Sequence, residues 1–284
     1  MNENHLTLQN HTALVTGASR GIGRAIAQRL AAHGAAVVVS ASPRSVDGLK
    51  KTVALIEQAG GRAAFIEADL ADETSRSTLV AGASEKFGVV DILINNAAGI
   101  SAYAPPSKMD LAARRSMFEL NFHAPIDLIQ QALPAMWERG WGRIINISSE
   151  MAQQPRPPFE GPAKMIHALA VYGASKAALE RSSLGLAAEL DGSDINVSVL
   201  SPFKIAVTEG ATAIARQMVA SHPEWLEPVE MMAEAAYQLV IGSHNGIVTH
   251  SRALLRSLNT ALHALDGKTV LGDSSTPASD VIPL

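Results

Sequence analysis

The 284 residues are 47% hydrophobic and 18% charged, with 23 basic against 27 acidic side chains and a net charge of -4; this is enough apolar material for a large core, with no basic excess of the kind that nucleic-acid or anionic-membrane binding draws on. The absence of cysteine excludes disulfides, thiolate metal sites and cysteine nucleophiles, and it fits a reducing, cytoplasmic setting. The opening MNENHLTLQN is polar and no stretch reaches the ~20 apolar residues of a membrane span, so a soluble, unprocessed protein is expected.

Short β-branched runs alternate with helical patterns from Thr12 onward. The runs are Thr12–Val15, Ala36–Ser40, Ala64–Glu67, Ile92–Asn95, Arg143–Ile147, Asn196–Leu200 and Ile247–Thr249. Their near-continuous apolar character predicts strands covered on both faces. Between them, Val46, Leu49, Val53 and Ile56, and later Val229, Met232, Ala236 and Leu239, recur at helical spacing. The pattern predicts an α/β fold, a single-domain Rossmann-type doubly wound parallel sheet of about seven strands flanked by helices. Residues 1–11 read as a polar lead, 12–266 as one domain with an insertion at about 151–170, and 267–284, containing GDSSTPASD, as a mobile tail.

The first strand runs into Thr16-Gly17-Ala18-Ser19-Arg20-Gly21-Ile22-Gly23 and then a helix over 24–33. Glycines there let the backbone turn tightly and approach a pyrophosphate, and the unpaired N–H groups of the helix start supply donors for it. The second strand ends in Val39-Ser40-Ala41-Ser42-Pro43-Arg44, without the acid that binds the ribose hydroxyls of NAD. Ser42 with Arg20 or Arg44 suits a 2′-phosphate instead. NADP(H) is therefore favoured, and Asp47, expected inside the following helix, keeps NAD(H) open.

Farther along, the strand of residues 143–147 ends in Ser148 and Ser149 at the sheet edge where ligands bind in such folds. A hydroxyl there would hydrogen-bond a substrate oxygen as charge develops on it. Alternation sends the two side chains to opposite faces, so one of them is the candidate, Ser149 first and Ser148 second. The helix Ala170–Leu190 opens with Val171-Tyr172-Gly173-Ala174-Ser175-Lys176. Four-residue spacing puts Tyr172 and Lys176 on one face, where the ammonium is expected to favour the phenolate and make its proton transferable.

The TGxxxGxG spacing, the Asn95-Asn96-Ala97-Ala98-Gly99 turn, Asn121, Ser149 and Tyr172-x-x-x-Lys176, in this order over about residues 12–210, resemble the short-chain dehydrogenase/reductase family. The resemblance implies an NADP(H)-dependent oxidoreductase acting on a small-molecule carbonyl or alcohol substrate. It implies that Gly17, Ser19, Arg20, Gly21, Ile22, Gly23, Ser42, Arg44, Asp69, Leu70, Asn96, Ala97, Ala98, Pro202 and Thr208 bind cofactor. Arg20 stands where members preferring NADP often carry a basic residue. By the same resemblance the second serine of the pair is catalytic, Asn121 holds a water near the lysine, and Tyr172 and Lys176 also bind cofactor, the lysine at the nicotinamide ribose. Alanine at residue 98 and Phe203 stand where the family usually has glycine, and Thr208 is slightly displaced. Pairing of the helices after Asn121 and Tyr172 implies a homodimer or homotetramer.

Two other readings stay open: a nucleotide-binding sensor or scaffold without catalysis, and an epimerase or dehydratase working through a transient ketone. Glu150 and His167, the acid/base groups that the second would use, read as exposed loop residues. No histidines cluster at metal-ligand spacing, so no metal is expected. The insertion carries Pro155, Pro157, Pro158 and Pro162 with Phe159, Met165 and Ile166. It is expected to bulge over the pocket mouth and, with Ile100–Tyr103 and the region after Thr208, to select a mainly apolar substrate.

Overall fold

The computed structural model describes residues 7–153, 156–159 and 167–281. Its first half runs β1 (Thr12–Thr16), α1 (Gly21–Ala32), β2 (Ala36–Ala41), α2 (Val46–Gln58), β3 (Arg62–Glu67), α3 (Glu73–Ser77), α4 (Leu79–Phe87) and β4 (Val90–Asn95). Then come α5 (Leu111–Phe118), α6 (Ala124–Arg139), β5 (Gly142–Ile147), α7 (Ala170–Glu189) and β6 (Ile195–Ser201). The rest comprises β7 (Ile205–Val207), α8 (Thr212–Val219), β8 (Leu226–Pro228), α9 (Val229–Ile241), β9 (Ile247–His250), α10 (Ser251–Leu258), β10 (Leu262–His263) and β11 (Val270–Gly272).

Among the described residues, the main sheet has seven strands in the order β3-β2-β1-β4-β5-β6-β9, all paired in parallel. These are the seven runs anticipated. The side-chain period of a strand explains why they read as continuously apolar. Ala13 and Val15 of β1 enter one core with Ile26 and Leu30 of α1 and Met232 and Leu239 of α9, whereas Leu14 enters the opposite core with Leu79 of α4 and Leu128 of α6. Every position of the strand is thus inside. The strand order reverses between β1 and β4, which opens a crevice at the carboxyl ends of the strands.

At the two ends of the predicted domain the described residues make contacts with the body of the fold. Leu8 of the polar lead is buried in the core, its N–H bonded to the His33 carbonyl. The segment after Asp266 is packed rather than loose. Asp266 accepts hydrogen bonds from the Lys268 and Thr269 N–H groups, β11 pairs antiparallel with β10, and Ala278 is buried against Val207, Ala215 and Leu226. Its turn residues are turn residues, but they close turns that lie on the protein. The chain after β6 also holds structure that the sequence pattern did not reveal, a parallel pair of β7 with β8.

Candidate active site

A cavity of about 520 Å³ lies in the crevice, within the ~300–1,000 Å³ range of small-ligand sites. Of the residues expected to bind cofactor, Gly17, Ser19, Arg20, Gly21, Ile22, Ser42, Arg44, Asp69, Leu70, Asn96, Ala97, Ala98 and Thr208 line it. Gly23, Pro202, Tyr172 and Lys176 do not. Ala41, Ser45, Ala68, Ala71, Leu120 and Gly210 line it as well; most of them flank the motif residues and were missed because small neutral side chains carry no chemical signal.

Close packing explains the glycines. A Cβ on Gly17, whose φ is +63°, would stand 2.8 Å from Ala97 Cα, and one on Gly23 would stand 2.4 Å from Asn96 Nδ2. Gly23 therefore seats α1 against the turn after β4 and does not face the cavity. Asn96 braces the same turn by donating from Nδ2 to the Thr16 carbonyl at 2.8 Å and the Gly17 carbonyl at 3.2 Å. Arg20 and Arg44 line the cavity and are exposed, and Asp47, in the first turn of α2, is not among the lining residues. Asp69 is the single carboxylate among them. Arg20, Ser42 and Arg44 share this lining, so the cradle fits a dinucleotide bearing a 2′-phosphate.

The catalytic candidates meet at the end of β5. Ser149 lies near enough to Tyr172 for its hydroxyl to act on the phenol. Ser149 also accepts from the Met151 N–H at 3.2 Å, capping the short turn Glu150–Ala152 that packs on α7. Ser148 is on the other side of the strand, donating to Glu180 Oε1 at 2.6 Å. This separates the two serines, and Ser149 is the one at the tyrosine. Gly173, next to Tyr172, is required by proximity: a Cβ there would sit 2.2 Å from the Met151 carbonyl oxygen.

Burial shapes both titrating groups on α7. It raises the Tyr172 phenol above its ordinary range, the Ser149 hydrogen bond works against it, and the nearby Tyr103 adds to it. Burial thus acts on Tyr172 in the direction opposite to the expected stabilisation of its phenolate by Lys176. Lys176 is itself buried, with Nζ donating to the Ile147 carbonyl at 2.7 Å. Burial pulls it down to about 8, opposed by Glu180.

Asn121 lies in a π-helical turn, Glu119–His123, between α5 and α6, an irregularity common at functional sites. Its amide exchanges hydrogen bonds with Gly99, 2.9 Å in each direction, and donates to Ser175 Oγ at 3.1 Å. Gly99 follows the cavity wall at Ala98, and Ser175 precedes Lys176. Asn121 therefore ties the cavity to the catalytic helix.

The departures after β6 are accommodated. Phe203 packs at 5.2 Å from the His250 ring and 4.7 Å from the Arg252 guanidinium, and its N–H donates to Glu227 Oε1 at 3.3 Å. Displaced Thr208 still reaches the glycine loop, 3.4 Å from where a Gly21 Cβ would be. Glu150 is paired with Lys204, and His167 is half-buried, so neither is the freely exposed residue expected. Within the insertion, residues 156–159 are exposed, while Pro155, Pro162, Met165 and Ile166 lie outside the described residues.

Glu227 gives this region a pH response. Burial raises it to about 7, opposed by Ser251, whose Oγ is 2.7 Å from both carboxylate oxygens, by Arg252 and by the Phe203 N–H. A raised folded pKa means that the folded state holds the extra proton. The associated stability is complete below the unfolded value of about 4.5 and lost as pH rises through about 7. Thermal unfolding at pH 5 and pH 8 should therefore show a smaller difference in Tm for Glu227→Gln than for wild type; an equal difference would contradict the assignment.

A family model described as short chain dehydrogenase matches residues 11–218. The chain is 34% identical over 259 residues to the ketoacyl reductase HetN of Nostoc sp., covering 91% of this chain and 85% of that one. It is 35% identical over 201 residues to the 7alpha-hydroxysteroid dehydrogenase of Escherichia coli, covering 71% and 73%. Among solved structures, a short chain dehydrogenase from Burkholderia cenocepacia in complex with NADP is 34% identical, with a TM-score of 0.70 and coverage of 86% and 96%.

Proposed function

The chain belongs to the short-chain dehydrogenase family, and from that premise we propose that it is an NADP(H)-dependent oxidoreductase acting on a carbonyl or secondary-alcohol carbon, with Tyr172 as the proton-transfer residue. Ser149 and Tyr172 at the end of β5, tied through Asn121 to the turn that walls the glycine-lined cavity, are the observation that carries this reading. Nicotinamide, when bound, supplies or accepts the hydride. In the reducing direction, Ser149 orients the carbonyl oxygen and Tyr172, whose phenol burial moves further from ionisation, gives that oxygen a proton. Lys176, held near pKa 8, is suited to restoring the phenol proton and to holding the nicotinamide ribose. The Asn121 brace keeps tyrosine, lysine and cradle in register.

Arg20, Ser42 and Arg44 would hold the 2′-phosphate, with Asp69 and Leu70 at the adenine and Pro202 and Thr208 over the nicotinamide end. Exposed Tyr103, which acts on the Tyr172 phenol, with exposed Ile100 and the 151–170 insertion, would select a mainly apolar substrate. The same reading includes a cytoplasmic homodimer or homotetramer. It is supported by exposed Trp137 on α6 and Leu184 on α7.

NADPH and NADH oxidation against panels of ketones, aldehydes and quinones tests the reaction. Titrations should show tighter binding of NADPH than NADH, with Arg20→Ala weakening NADPH about tenfold and leaving NADH nearly unchanged, as loss of a charge-assisted phosphate contact requires. Equal affinities for the two cofactors in wild type would refute the NADP assignment.

A further inference from the structure

The segment after β7 is fastened to the glycine loop from outside the cavity. Thr208 and Gly210 line the cavity, while Glu209, between them, is not among its lining residues. The Glu209 carboxylate accepts the Gly21 N–H at 3.0 Å and is paired with Arg24 on the first turn of α1. Its far anchor is rigid: Arg24 also donates to Thr52 Oγ1 at 3.0 Å and to the Ser19 carbonyl, and Thr52 donates to the Ala18 carbonyl at 2.8 Å. Partial burial works against ionisation of Glu209. Even so, its own N–H, the Gly21 N–H, Arg24 and Lys51 together hold the carboxyl below the usual range.

We propose that Glu209 is a clasp that straps residues 208–210 across the mouth of the dinucleotide cavity and sets how long the cofactor stays bound. The inference rests on the functional reading above. A carboxylate this close to a phosphate cradle is unfavourable for an anionic ligand by charge alone. Removing it should then tighten binding if repulsion were its whole effect. The geometry predicts the opposite sign for release, because the carboxylate spends its charge on the loop and on Arg24, and because its chain neighbours form part of the cavity wall. Half of its side chain is exposed, 55%, so the ion pair is worth about 2- to 5-fold and is screened by salt. The hydrogen bond from the Gly21 amide to a charged acceptor adds to this.

Stopped-flow displacement of NADPH, followed by nicotinamide fluorescence, reads the effect without turnover. Glu209→Gln keeps an acceptor for the Gly21 N–H and should release NADPH about 3-fold faster; Glu209→Ala, losing both contacts, should release it about 10-fold faster. Raising ionic strength from about 0.05 to 0.5 M should accelerate release from wild type more than from Glu209→Gln. The exposed position leaves folding intact, which circular dichroism checks. Release rates equal to or slower than wild type, or tighter binding without faster release, would overturn the clasp. Wild-type protein that binds neither NADPH nor NADH would overturn the functional reading and the clasp together, whereas normal wild-type binding with unaltered release in the variants overturns the clasp alone.

Discussion

Replacing Tyr172 with phenylalanine is expected to lower kcat by about 10³-fold while leaving NADPH affinity within about twofold of wild type. The substitution removes one oxygen. Its loss takes the phenol oxygen away from Ser149, an effect on stability of at most about 1 kcal/mol, small beside the roughly 4 kcal/mol of barrier that a 10³-fold rate loss represents. The ring stays, so the packing of α7 stays. Because burial raises the phenol, the proton is present through neutral pH in the reducing direction, and a neutral donor is what the phenylalanine lacks. Steady-state rates with the best ketone or aldehyde of the panel, together with fluorescence titration of NADPH, check both halves. Turnover within tenfold of wild type would exclude Tyr172 as the proton donor.

The second large effect is expected at Gly173→Ala. Helix propensity alone would make this change stabilising by about 1 kcal/mol, since glycine in a helix interior is poor and alanine is the best residue there. The Met151 carbonyl oxygen, 2.2 Å from the new methyl, reverses the sign. Relief requires α7 or the turn after Ser149 to move by about 1 Å, and a displacement of that size at reacting groups costs on the order of 10²-fold in rate. The opposing backbone cannot swing aside like a flexible side chain. We expect kcat/KM to fall about 10²-fold, stability to fall by about 1–3 kcal/mol, and NADPH affinity to hold. Wild-type kcat/KM with a raised Tm would mean that the propensity term wins.

Much of the fold was legible because parallel strands covered on both faces leave uninterrupted apolar runs, as in the Val37, Val38 and Val39 stretch, where neighbouring residues enter opposite cores. The candidate site was legible where its chemistry sits within contiguous motifs. Gly17 to Gly23 and Tyr172 to Lys176 are each set by local geometry, so spacing alone places them. What stayed hidden depends on tertiary neighbours. The sign of the Tyr172 shift comes from burial and Tyr103, on a different element. The β7–β8 pair joins Ile205 to Leu226 across a helix, and neither three-residue strand is long enough to leave a periodic pattern. Glu209 reads in sequence as an ordinary loop acid, and its role emerges only with Gly21 and Arg24 beside it. The contacts of the tail were hidden for a related reason: its turn residues specify bends, but whether a bend packs is decided by a partner, here Val207 and Leu226 for Ala278.

That last contact has a consequence for how the molecule is made. The glycine cradle, β4 and the catalytic helix are all translated before the residues that carry Ala278 leave the ribosome, and domains tend to acquire structure from the N-terminal side during synthesis. Until then Val207, Ala215 and Leu226 lack the side chain that covers them. The small cluster of Val207, Ala215 and Leu226 is in this sense the last part of the molecule to close, because its cover arrives with the far end of the chain.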